Sequence, residues 1–142
     1  MEQIEQIDKE VYNKFIQTLE LADIVLGDLV LKKKTEPIGG SLSFNLSPNF
    51  TLTERTEDQL TATAEFNLDV KDGNDIEVFS INAKFTLKYT FSKDVEINKE
   101  VEERFLKSNV PLNSWPYGRE LISSLTTRMG YPSLVIGTFK VF

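Results

Sequence analysis

The 142 residues include no histidine and no cysteine. Without histidine there is no ordinary proton shuttle near neutral pH, no Ser-His-Asp arrangement and no histidine-containing metal site. Without cysteine there is no disulfide framework, no thiolate nucleophile and no remaining zinc signature, which suits a reducing compartment. No run approaches the ~20 apolar residues that a membrane helix needs. The N-terminal stretch MEQIEQIDKEVYNKF mixes charge with apolar residues where an export signal would have a basic start and an apolar core. The expectation is a cytoplasmic protein without membrane contact. Positive charge is also scarce: 16 Lys and Arg against 22 Asp and Glu leave a net charge of -6, a field that repels phosphate backbones. Nucleic acid is not an expected partner, and Lys32, Lys33 and Lys34 read as a solubilising end to an apolar strand.

The catalytic motifs are missing as well. There is no GxSxG elbow, no SxxK, no phosphate-cradling GxxxxGK and no GxGxxG. The stretch DVKDGNDIE around Asp72 offers oxygen atoms but lacks the alternating spacing and closing Glu of a calcium loop, so it reads as a turn. Arg119 and Glu120 are neighbours on a helix and do not face each other. Two carboxylates brought together only by folding would leave no linear signature. With that reservation for a hydrolase, the sequence predicts no enzyme, no metal and no cofactor.

What is present is patterning. At this length, with 40% hydrophobic residues, one domain with one core is expected. Ile4, Ile7, Val11 and Phe15 follow helical spacing over residues 1–17. Residues 18–92 then read as an antiparallel sheet. A long first strand contains Gly27 as a bulge or bend, and turn chemistry follows at 37–40. Leu42, Phe44 and Leu46 alternate on one face, and Pro48 forces that strand to an edge or a break. Leu60, Ala62, Ala64, Phe66, Leu68 and Val70 repeat the pattern, and 71–74 make a hairpin turn. The return strand carries Phe79, Ile81, Ala83, Phe85, Leu87 and Tyr89 on one face after a change of phase at Val78 and Phe79.

A sheet with one apolar face needs a cover. Residues 98–109 read as a short helix capped by Asn98, with Glu100, Glu102 and Glu103 near its positive end. VPLNSWP reads as a crossover loop, and a second helix runs from Pro116 to Met129 with Gly130 as its stop. Its four-residue row Tyr117, Leu121, Leu125 and Met129, widened by Gly118 and Ile122, implies two apolar neighbours, the sheet and a second subunit. Residues 131–142 close the chain in extended form. Trp115 and the tyrosines either pin the crossover to the sheet or line a groove for extended peptide.

Within this region Pro116, Tyr117, Arg119, Glu120, Ile122, Leu125, Arg128, Pro132 and Leu134 stand in a register that resembles the SecB family of ATP-independent chaperones, whose long helix opens on Pro-Tyr-x-Arg-Glu. The resemblance implies an α+β fold, a four-stranded antiparallel sheet covered on one face by a long helix after a crossover loop. It implies a homo-oligomer, a dimer or a dimer of dimers, that holds unfolded client protein in apolar grooves. Leu42, Phe44, Leu46, Leu112, Trp115, Tyr117, Leu121 and Leu125 are the candidate groove residues. Asp28 matches one of the acids with which export chaperones dock the SecA motor, but the next expected acid is Lys32. The sequence also stops at Phe142 without the C-terminal helix used for that docking. Both departures resemble more closely the SecB-like relatives that guard an antitoxin. A different class of function, a carrier of small apolar ligands on the sheet face, fits the same residues.

Overall fold

The computed structural model describes residues 2–35 and 40–139, with side chains from residue 9 onward. Ile4, Ile7 and most of the turn expected at 37–40 lie outside these side chains and residues. Helix α1 spans Glu2–Thr18, followed by strands β1 (Glu20–Lys33), β2 (Leu42–Arg55), β3 (Gln59–Asp72) and β4 (Glu77–Thr90). Helix α2 (Lys99–Arg104) leads through a π turn at Phe105–Asn109 into helix α3 (Val110–Arg128). The strands form one antiparallel sheet in the order β1-β4-β3-β2, so β1 and β2 are its edges. Pro48, which lacks a ladder donor, therefore sits on an edge strand. Gly27 falls where the β1 register slips between Leu26 and Asp28.

The core follows from the two-residue period of the strands. Leu60, Ala62, Ala64, Phe66, Leu68 and Val70 of β3 lie opposite Tyr89, Leu87, Phe85, Ala83, Ile81 and Phe79 of β4, and all twelve are buried. Val78 is buried too, at the slip of register beside Lys71. Two packed clusters cover this face. Phe15 of α1, Phe105 and Val110 close over the end near Tyr89, where Phe15, Phe91, Phe105 and Tyr89 meet edge to face. Ile122, Tyr131 and Ile136 close over the end near Phe79. Each large side chain so buried contributes roughly 1.5–3 kcal/mol.

Asn98 caps α2, its side chain accepting from the Val101 N–H at 2.9 Å. The expected crossover loop VPLNSWP is instead helical, and α3 begins at Val110 rather than at Pro116. Pro111 is tolerated because it lies in the first turn, where its missing N–H matters little. The preceding π turn, closed by the Val110 N–H donating to the Phe105 carbonyl, adds the residue that keeps the chain helical into that proline. Pro116 sits inside the helix.

The helix meets the sheet through Ser114, Gly118, Ile122 and Thr126, all buried and four residues apart. The Ser114 and Thr126 hydroxyls donate to the carbonyls of Val110 (2.7 Å) and Ile122 (2.9 Å), so neither is an unpaired buried donor. A β-carbon on Gly118 would stand 2.6 Å from Cζ of Phe66. The row read from the sequence, Tyr117, Leu121 and Leu125, lies on one flank of this stripe.

Candidate functional site

After α3, Gly130 at φ +91° reverses the chain. Its N–H donates to the Thr127 carbonyl and that of Tyr131 to the Thr126 carbonyl, a Schellman closure. Residues 131–139 then run back along α3 as an extended strap above the apolar row of β2. The strap is tied by side chains. The Tyr131 ring packs on Phe79 with centroids 4.9 Å apart, and its hydroxyl donates to the Thr35 carbonyl at 2.8 Å. The Leu134 N–H donates to Oγ1 of Thr126 at 3.0 Å, and Ile136 is only 1% exposed. Farther on, Nε1 of Trp115 donates to the Gly137 carbonyl at 2.6 Å, and the rings of Trp115 and Phe139 lie 5.4 Å apart. Among the described residues, no backbone-to-backbone hydrogen bond holds 132–139.

Two open clefts flank the strap. One, of about 250 Å³, lies between the start of β2 and the first half of the strap, with Leu42, Phe44, Val70 and Phe79 facing Tyr131, Pro132 and Leu134. The other, of about 430 Å³, lies between the outer side of α3 and the second half of the strap. Leu112, Trp115, Pro116 and Arg119 face Val135, Thr138 and Phe139 there. Phe44, Leu112 and Val135 are each about half exposed. These clefts have apolar walls with few polar groups, the chemistry that accepts extended polypeptide side chains.

The eight residues read from the sequence as groove residues divide into two sets. Leu42 and Phe44 line the first cleft, with Leu46 half-buried beneath it, and Leu112 and Trp115 line the second. Tyr117 lies on the other flank of α3, exposed, its ring 6.3 Å from that of Phe85. Leu121 and Leu125 are half-buried against the two core clusters. The strap residues Val135 and Phe139 went unread, although the apolar residues of YPSLVIGTF offered a signal.

Asp28 is exposed on β1, opposite Lys84. Around it β1 shows apolar side chains on both faces: Leu21, Leu26 and Leu29 on the covered face, Val25 and Val30 on the other, all exposed. The uncovered face is otherwise polar. There the Glu65 carboxyl accepts from Nδ2 of Asn82 at 3.1 Å and lies 3.6 Å from Lys84. The Asn82 hydrogen bond, more than the nearby lysine, holds Glu65 below the usual carboxylate range. Tyr89, by contrast, is pushed well above the usual phenol range by burial, and its hydroxyl donates to Oδ1 of Asn113 at 2.9 Å.

The four-stranded sheet, the long covering helix and the returning strap define the SecB-like fold. A solved SecB-like chaperone of Mycobacterium tuberculosis, in complex with a ChAD peptide from an antitoxin, superposes with a TM-score of 0.84 at 15% identity, over 93% of this chain and 98% of that one. A protein of unknown function from Streptococcus agalactiae superposes with a TM-score of 0.51 at 10% identity, over 84% of this chain and 96% of that one. No protein-family model matches the sequence. No curated protein matches it either. The resemblance drawn from Pro116 to Leu134 is thus borne out in the fold.

Proposed function

We propose that this chain is an ATP-independent chaperone, a holdase that keeps unfolded or aggregation-prone polypeptide, an antitoxin among its clients, in the two clefts beside the strap. The observation that carries the reading is the exposure of Leu42, Phe44, Leu112 and Val135 along clefts of a fold shared with a chaperone that binds an antitoxin peptide. An extended client burying ~400 Å² of apolar surface gains about 10 kcal/mol gross, most of which is offset by ordering the client. One cleft therefore binds weakly and lets go without ATP, while several clefts on one oligomer hold firmly.

The oligomer in this reading forms through β1. A 14-residue edge strand with exposed apolar side chains on both faces invites pairing with a second copy, which would also cover Leu26 and Leu29. Dimers, or dimers of dimers, follow. Asp28 on that strand remains the candidate docking residue for a motor such as SecA. The reading places the protein in the cytoplasm and assigns it no catalytic step; among the described residues no helix is long and apolar enough to cross a membrane. A carrier of small apolar ligands fits less well, because the clefts are open rather than enclosed. The test is light scattering from a slowly folding client without nucleotide: a delay in aggregation at equimolar protein supports the holdase, and an unchanged time course at molar excess rejects it.

A further inference from the structure

The strap is fastened unevenly. Ile136 is buried among Leu68, Ile81 and Ile122, so drawing it out would open the core. Among the described residues beyond it, Gly137 and Thr138 are exposed, and the attachments are the Trp115 indole N–H on the Gly137 carbonyl and the ring of Phe139 on that of Trp115. Trp115 is itself fixed from behind by Phe66, with centroids 5.6 Å apart. A rigid aromatic donor thus holds a short extended segment by one backbone carbonyl and one aromatic side chain two residues later. Neither attachment depends on the identity of residue 137, since a β-carbon there would meet open space.

We infer that residues 137–139 are an internal stand-in for client: Thr138 and Phe139 wall the 430 Å³ cleft beside Trp115, and clients displace the segment by offering the same two groups, a free carbonyl in extended backbone and an aromatic ring two residues on. This rests on the chaperone reading above and adds to it the kind of segment preferred and a built-in competitor. Ile136 is the fixed point, so exchange involves residues 137–139 and leaves the core closed. Binding is then weakened by competition, and a client segment without an aromatic residue cannot replace what it displaces.

The protein has a single tryptophan, so its fluorescence reports on this contact directly. The probe is a capped peptide copying residues 135–139, Val-Ile-Gly-Thr-Phe, titrated into the full chain. Phe139→Ser should bind it at least roughly fivefold more tightly than the unaltered protein, a difference near 1 kcal/mol. A peptide ending in Ser should bind neither protein. Equal affinity in Phe139→Ser and unaltered protein, with intact circular dichroism, overturns the inference. Should Phe139→Ser fail to fold, the unaltered protein decides: saturating peptide should speed chymotryptic cleavage after Phe139, read by mass spectrometry, and an unchanged or slower rate overturns it. Loss of the holdase result alone would leave this peptide result standing, whereas a working holdase with equal peptide affinities sinks only this inference.

Discussion

The inner strands β3 and β4 and the outer strands β1 and β2 are written with similar apolar alternation but meet different fates. On β3 and β4 the apolar positions are sealed beneath α1, α3 and the strap. On the edges many of the same residue types stay in view, Leu26 at 43% and Phe44 at 48% exposed. The cover is one helix and one strap wide, and the sheet is four strands wide. The surplus apolar surface therefore falls at the edges, along β1 and at the start of β2. Contiguous exposed apolar surface of this kind marks interaction sites.

The largest effect should come from the inner region. Gly118→Val drives a branched side chain into the Phe66 ring, whose flanking strands leave it little room to move, and should cost about 3 kcal/mol in urea denaturation. Next, if copies pair through β1 as proposed, Leu26→Asp with Leu29→Asp should leave only monomer in multi-angle light scattering. Thermal stability of the monomer should stay near that of an unassembled control, since both positions are exposed within one copy. A protein already monomeric before substitution would remove β1 from the account. Phe44→Ser should lower client affinity by roughly tenfold, the loss of one apolar anchor, while stability shifts by no more than about 0.5 kcal/mol. A stability loss without an affinity loss would turn Phe44 into core.

The smallest effect lies on the polar face. The Glu65 carboxyl is held below its ordinary value in the folded protein, chiefly by the Asn82 hydrogen bond. Its contribution is therefore complete above the ordinary carboxylate pKa and disappears as pH falls through the lowered one. Glu65→Gln should destabilise by less than about 0.5 kcal/mol at pH 7, and the difference from unaltered protein should shrink in parallel denaturant curves as pH falls through the lowered value.

Strands and the apolar face were legible because a two-residue period admits one solution once one face is buried. The Asn98 cap, the bulge at Gly27 and the edge position of Pro48 were legible for the same reason, a local residue with a local geometric demand. VPLNSWP was misread because two prolines five residues apart look like a loop. The π turn that keeps the chain helical into Pro111 has no residue signature of its own. The spacing of apolar residues along α3 groups Tyr117, Leu121 and Leu125 with Leu112 and Trp115, whereas the fold sets them on different flanks of the helix. A close approach at Gly118 rotates the buried stripe onto small residues and leaves the two apolar groups on opposite flanks. The strap was legible as extended chain but not as one wall of both clefts, since that wall exists only after Gly130 folds it back.

The most direct measurement is amide hydrogen exchange on the protein with and without a saturating unfolded client. Added protection is expected in β2, in the first turns of α3 and in the strap, with β3 and β4 unchanged because they are already sealed. Protection confined to the polar face of the sheet, or none at a client concentration that light scattering shows to be held, would contradict it.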